Sequence, residues 1–355
     1  MAMFSKKNLA FHKKPTEIIK LDLNENPLGA SPLAIAAGQK ALLNCHRYPD
    51  SHGNTLKKSL STHLNIAPEN ITLGNGSESL LELIVHTTLN PLNSAVIPRF
   101  CFAGISKVLK KAHIKIKHAK NELFSISAQC LLDAIDPWTK IIFIVNPNNP
   151  TGSYMNKFEL HYLFENISKD ILVVLDEAYN EYVEIADYPN SISLLSQYSN
   201  LIILRTFSKF YGLAGLRLGY AMSHPKIASI LNRNSLPFRI NAVALAAAEA
   251  SLKDKKHIHL SRLLNRQEHA KLSKGLQNLG LTILPSHANF LCIDLKSPSW
   301  PIHQQLLLAG ISVRPLLDYG LPHFLRISIG MPQQNQYFLT ILKKILIQTD
   351  SNKSC

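Results

Sequence analysis

From residue 71 to residue 221 the chain alternates short β-branched runs with stretches of helical length. Seven runs read as strands: Ile71–Leu73, Ala95–Ile97, Ile114–Lys117, Ile141–Val145, Leu172–Leu175, Leu201–Leu204 and Leu218–Ala221. Between them, Glu78–Thr88, Gly104–Lys111, Ala128–Ile135 and Lys157–Phe164 have helical spacing. This alternation predicts a mostly parallel sheet flanked by helices, with the wholly apolar runs Ile141–Val145 and Leu172–Leu175 covered on both faces. After residue 240 the rhythm changes. Asn241–Leu252 is Ala-rich and helical, and the polar stretch 257–279 reads as another helix. Strands over Thr282–Leu284, Phe290–Asp294 and Leu325–Ile329, with helices near Ile302–Leu308 and Gln333–Ile347, then make an α+β pattern. The expected fold class is α/β, with a large domain on a mostly parallel seven-stranded sheet over 36–240 and a smaller α+β domain over 241–355. Residues 1–35 form an N-terminal arm in which Leu21–Pro32 holds turn formers and no clear helix.

Length and composition narrow the function classes. A chain of 355 residues with 46% hydrophobic and 17% charged residues has material for a large core, and its length favours two domains around one site. No apolar stretch reaches the length of a membrane span and the N-terminus lacks the apolar segment of a signal peptide, so no membrane partner is expected. Cys45, Cys101, Cys130, Cys292 and Cys355 are odd in number and share no CxxC spacing, which argues against a disulfide framework or a zinc site and favours a reducing cytoplasm. The net charge of +14 favours anionic partners. Its lysines, however, are scattered in pairs such as Lys6-Lys7, Lys13-Lys14, Lys110-Lys111 and Lys255-Lys256, without a nucleic-acid-binding motif, so no nucleic-acid partner is expected. The 15 histidines include no HExxH, and no metal is expected; no GxSxG elbow of a hydrolase occurs.

Four segments carry candidate chemistry. In Arg205-Thr206-Phe207-Ser208-Lys209 through Arg217-Leu218-Gly219, a lysine leaves an apolar strand and enters a Gly-rich turn with two hydroxyls and a later arginine, so donors and cations converge on something anionic. The strand Ile141–Val145 ends in Asn146-Pro147-Asn148-Asn149-Pro150-Thr151-Gly152, and Leu172–Leu175 ends in Asp176-Glu177-Ala178-Tyr179. Carboxyl ends of parallel strands are where α/β sheets place ligands. Asp176 follows four apolar residues and suits a buried carboxylate with a cationic partner; a helix cap or loop ion pair is the alternative. In Leu73-Gly74-Asn75-Gly76-Ser77-Glu78-Ser79 a strand runs through glycines into a helix whose free N–H groups suit a phosphate. A dinucleotide fingerprint would need Gly at position 79, where the chain has Ser79.

In this order and spacing, these segments resemble the fold-type I pyridoxal-phosphate aminotransferases, most closely those acting on histidinol phosphate. The resemblance spans about residues 20–345 and includes Leu23-Asn24-Glu25-Asn26-Pro27-Leu28-Gly29, Arg47-Tyr48-Pro49-Asp50 and Leu325-Arg326-Ile327-Ser328-Ile329-Gly330. It implies a pyridoxal 5′-phosphate cofactor bound covalently by Lys209, with Asp176 on its pyridine nitrogen and Tyr179 and Asn149 on its phenolic oxygen. Gly76, Ser77, Glu78, Thr206, Ser208 and Arg217 would hold the phosphate, provided that Glu78 turns its carboxylate away. Phe100 stands where the family usually stacks a tyrosine on the ring, which keeps the stacking surface and loses the hydroxyl. Asn24, Tyr48, Arg314 and Arg326 are the implied substrate contacts. Arg326 would grip the donor carboxylate and Arg314 the distal anion, the alternative being that each is a surface arginine. Tyr48 would reach the neighbouring subunit's phosphate in a homodimer, or else be a rim tyrosine; the arm would pack on the small domain and the dimer partner. The implied reaction interconverts histidinol phosphate and 2-oxoglutarate with imidazole-acetol phosphate and glutamate, in histidine biosynthesis. An aromatic aminotransferase and a threonine-phosphate decarboxylase are the alternatives on this scaffold. A transcription regulator is disfavoured because only some twenty residues precede the enzyme-like region.

Overall fold

The computed structural model describes residues 18–120 and 124–351. Lys6, Lys7, Lys13, Lys14, Cys355 and residues 1–17 of the arm lie outside them. Strand β1 (Ile19–Leu21) comes first. The next seven strands, β2 (Ile71–Gly74), β3 (Ser94–Pro98), β4 (Lys115–Ala119), β5 (Thr139–Val145), β6 (Leu172–Asp176), β7 (Leu201–Thr206) and β8 (Gly219–Ser223), form one sheet in the order β2-β8-β7-β6-β5-β3-β4. All seven predicted runs fall on or overlap these strands. The sheet is parallel except for β8, which is antiparallel to both neighbours.

The period of two along the central strands divides their side chains between two cores. Ile142, Ile144, Val173, Leu175, Leu201 and Ile203 face one, and Ile141, Phe143, Val145, Val174, Ile202 and Leu204 face the other. Burying each such side chain stabilises the fold by roughly 1.5–3 kcal/mol. Helices α1 (Pro32–Leu42), α2 (Asn54–Leu64), α3 (Ser77–Thr88), α4 (Ala103–Lys111), α5 (Ala128–Asp133), α6 (Lys157–Asn166), α7 (Ser191–Leu194), α8 (Pro225–Arg233) and α9 (Ala242–Lys253) surround this sheet. Helix α9 places Ala244, Leu245, Ala247 and Ala248 in the first of these cores. Helices α1, α2, α7 and α8 are not among the predicted ones. In α1, an apolar sequence with a glycine in its middle is helical through packing: Gly38 lies so close to α9 that a Cβ there would sit 3.2 Å from Val243 Cγ1.

The second sheet holds β1, β9 (Thr282–Leu284), β10 (Phe290–Asp294), β11 (Ile311–Leu316) and β12 (Leu321–Ser328), in the order β1-β11-β12-β10-β9. The arm thus contributes an edge strand, β1, parallel to β11. Strand β11 escaped the sequence pattern because Arg314 and Pro315 interrupt its apolar run. Helices α10 (Lys255–Asn278), α11 (Ser299–Leu308) and α12 (Pro332–Ser351) complete this unit, whose core includes Leu272, Leu291, Ile293, Leu306, Ile327 and Phe338. Among the described residues no helix is long and apolar enough to cross a membrane.

Candidate active site

Topology alone brings the four chemical segments together. Strands β5, β6 and β7 are parallel neighbours, so Val145, Asp176 and Thr206 end at one edge of the sheet. Because β8 is antiparallel to both β7 and β2, its first residue, Gly219, pairs with Thr206 on one side and Gly74 on the other. The turn after β2 and the start of α3 therefore stand beside Thr206. A cavity opens at this edge, lined by Ser77, Glu78, Phe102, Val145, Asn149, Asp176, Ala178, Tyr179, Thr206, Ser208, Lys209 and Arg217.

One end of the cavity is an anion cradle. Helix α3 begins without a side-chain cap, leaving its first N–H groups and its positive dipole end free. Gly76, its N-cap, has φ +81° and ψ 164°, a backbone conformation that glycine adopts at no steric cost, and its bare Cα leaves room for the Arg217 guanidinium. Arg217 Nη1 donates to Ser208 Oγ at 3.3 Å, and the Ser208 N–H donates to Thr206 Oγ1 at 3.0 Å. Glu78 does not turn wholly away: its carboxylate lies 3.9 Å from Arg217 Nη2, with both side chains about half exposed. Solvent screening makes such a pair weak, and a dianion in the cradle would compete for Arg217.

At the other end two titratable groups are shifted in opposite senses. Asp176, 3% exposed, accepts the Ala178 N–H at 3.1 Å. Burial pushes its carboxyl up to about 7; the Ala178 N–H and Lys209 oppose this, while Glu177 and Glu78 add to it. Burial likewise lowers the Lys209 ammonium to about 8, with Arg326 and Arg217 adding to the effect and Glu25 and Asp176 opposing it. Its Nζ donates to the Leu23 carbonyl at 2.7 Å. The site therefore offers an amine with an accessible neutral form and a buried carboxylate that lacks a full cationic partner.

Beside these, Tyr179 is 2% exposed, and its hydroxyl accepts hydrogen bonds from Asn24 Nδ2 at 3.0 Å and Asn149 Nδ2 at 3.3 Å. Asn149 Oδ1 in turn accepts from Arg326 Nη1, and Arg326 Nη2 donates to the Asp22 carbonyl at 2.7 Å. The Arg326 guanidinium stacks on Phe290, its carbon 5.4 Å from the ring centroid, and its Nε is buried without a hydrogen-bond partner. A buried guanidinium N–H without an acceptor fits a carboxylate ligand.

The remaining predicted residues are spread more widely. Arg314 faces Arg326 across β11 and β12 and forms an ion pair with Asp318. Phe100 lies outside the cavity lining: its ring stacks on Phe124 at 5.6 Å, in a cluster with Leu284, Cys292 and Phe324, and the phenylalanine that lines the cavity is Phe102, beside Tyr179. Tyr48 is 83% exposed, with its ring 4.8 Å from that of Phe238. Asn24 points at Tyr179. Sequence reasoning missed Phe102 because β3 ends at Pro98, after which no period marks the inward side. It also missed the Asp22 and Leu23 carbonyls, since a backbone acceptor leaves no trace in residue identity.

This set fits pyridoxal phosphate: an anion cradle for the phosphate, a carboxylate for the pyridinium and an amine with a low pKa for the aldehyde. A profile of the class I and II aminotransferases matches residues 16–342. The chain is 44% identical to histidinol-phosphate aminotransferase 2 of Pseudomonas fluorescens over 94% of its own length and 90% of that protein's. Its fold matches histidinol-phosphate aminotransferase from Sinorhizobium meliloti, solved in complex with pyridoxal-5′-phosphate, with a TM-score of 0.87 at 26% identity, covering 94% of this chain and 92% of that one. The Clostridium acetobutylicum histidinol-phosphate aminotransferase matches with a TM-score of 0.86 at 26% identity, over 92% and 99% of the two chains. The chain belongs to the class I and II aminotransferases, pyridoxal-phosphate-dependent enzymes of fold type I.

Proposed function

We propose that this aminotransferase interconverts histidinol phosphate and 2-oxoglutarate with imidazole-acetol phosphate and glutamate, as a cytoplasmic homodimer of histidine biosynthesis. The observation that carries the reading is the pair Arg314 and Arg326, abreast on adjacent strands, with Arg326 bonded to Asn149 of a cavity that already has its own phosphate cradle. Two cations beyond the cofactor's own suit substrates that carry an anion at a distance from the amino group. The names of the relatives support the same substrate. When bound, the cofactor supplies an electron sink for the bond broken at the substrate's Cα. Asp176 holds the pyridinium proton in place, Tyr179 and Asn149 donate toward the ring's phenolic oxygen, and Ser77, Thr206, Ser208 and Arg217 bind the phosphate. Lys209, neutral in part near pH 8, would hold the cofactor and take up and return the proton at the substrate's Cα. Arg326 orients the substrate by its carboxylate or phosphate.

The test is turnover of histidinol phosphate, phenylalanine and tyrosine, each against 2-oxoglutarate. The reading expects the largest kcat/KM with histidinol phosphate; good turnover of phenylalanine with none of histidinol phosphate would replace it by an aromatic aminotransferase. The homodimer is tested by mixing Lys209→Ala with Tyr48→Ala protomers. With Tyr48 serving the neighbour's site, one site of a heterodimer carries both defects and the other neither, so activity returns. Proven heterodimers that regain none would assign Tyr48 to its own subunit.

A further inference from the structure

The Tyr179 hydroxyl lies at the end of a hydrogen-bonded chain whose direction is fixed by groups that can only donate. The Asn24 backbone N–H donates to Ser328 Oγ at 2.8 Å. With that lone pair used, the Ser328 proton goes to Asn24 Oδ1, 3.1 Å away. The Asn24 amide is thereby oriented with its NH₂ toward Tyr179, to which it donates at 3.0 Å. On the other side the Arg326 guanidinium, which has no acceptor, claims Asn149 Oδ1 and turns the Asn149 NH₂ toward the same phenol oxygen. Both acceptor positions of the Tyr179 oxygen are then filled. Among the described residues no protein atom accepts its proton, so the remaining direction is the cavity that Tyr179 lines.

The placement of Asn24 and Ser328 agrees with this role. Asn24 is 1% exposed and has φ +55°, a left-handed conformation that asparagine tolerates better than most residues. Its backbone carbonyl accepts from Asn289 Nδ2 at 2.9 Å, so the segment is held independently of the side chain. Ser328, 3% exposed, ends β12 two residues beyond Arg326. All the polar atoms of the Asn24 side chain are engaged within the protein.

We propose that Ser328 and Asn24 are positioning residues that fix the donor direction of Tyr179, holding its hydroxyl proton on the cavity side, toward the phenolic oxygen of the bound cofactor. Without the Ser328 hydroxyl the Asn24 amide is free to turn its oxygen to Tyr179 and take that proton. The inference rests on the reading that Tyr179 faces the ring's phenolic oxygen, and its test separates the two.

Donation to that oxygen favours the form in which it is fully ionised and the adjoining nitrogen carries no proton, which lowers the pH at which the holoenzyme's visible band shifts. Tyr179→Phe is expected to raise that midpoint by about 1 pH unit, and Ser328→Ala by about 0.5 unit. In the Tyr179→Phe background Ser328→Ala adds nothing, because a residue acting through Tyr179 has nothing left to act on. Ser328→Thr, which keeps the hydroxyl, restores the wild-type midpoint. Asn24→Gly, which accepts the left-handed backbone and removes the amide, behaves like Ser328→Ala and serves should that variant fold poorly. An unchanged midpoint in Tyr179→Phe would overturn the placement of Tyr179. A shift in Tyr179→Phe with none in Ser328→Ala or Asn24→Gly, or equal shifts in the two backgrounds, would overturn the positioning role alone.

Discussion

On the large sheet Val145 and Asp176 pair across β5 and β6, with Thr206 ending β7 beside them, so the chemistry sits where apolar strands stop. On the small sheet Arg314 and Arg326 stand within β11 and β12, and each already holds a partner: Asp318 for one, Asn149 and the Asp22 carbonyl for the other. The first arrangement is imposed by backbone register and costs little to keep. The second is built from long cationic side chains whose partners must compete with substrate. The cofactor seat is therefore expected to be rigid and intolerant of change, and the substrate grip adjustable and graded in its response.

The largest effect expected is from Lys209→Ala, which removes the residue proposed to move the proton and should lower turnover by about 10³-fold or more. Retention of activity within tenfold would break the rigid half of the contrast. Asp176→Asn comes next. Loss of a buried charge partner costs about 3 kcal/mol, roughly a hundredfold in kcat. The same substitution should stabilise the cofactor-free protein. A carboxyl whose pKa rises from 3.8 to about 7 on folding favours the folded state while protonated, and that advantage is lost as pH climbs through this window. Asparagine should thus match aspartate near pH 4 and add about 1–3 kcal/mol above pH 7, the cost of a poorly compensated buried group. A gain that grew on acidification would contradict the sign.

The smaller effects sharpen the adjustable half. Arg326→Ala removes charge-assisted bonds worth about 1.5–3 kcal/mol each and should lower kcat/KM from tenfold to more than a hundredfold for every substrate. Arg314→Ala should cost less than tenfold with phenylalanine and more with histidinol phosphate or glutamate, because only the latter pair carry a distal anion. Equal losses across all three would mean that the Arg314–Asp318 pair is structural.

How much was legible in the sequence follows the same division. Lys209, Asp176, Asn149, Thr206 and Ser208 each sit where an apolar run ends in polar residues, and the fold joins those ends because parallel strands share a direction. Strand β11 was hidden by Arg314 and Pro315, and β1 by its three-residue length. Phe102 and Ser328 carry no local mark: what makes each of them matter is a neighbour distant in sequence, Tyr179 for Ser328 through Asn24, and the β6 and β7 strand ends for Phe102. Helix α1 depends in the same way on α9.

The central claim, that the strand-end cavity is the cofactor seat and Lys209 its anchor, is tested most directly by borohydride reduction of the holoenzyme followed by peptide mapping. The account predicts one adduct, on Lys209, in a protein that has lost its original visible band and its activity together. An adduct on any other lysine, or a fully active reduced protein, would contradict it.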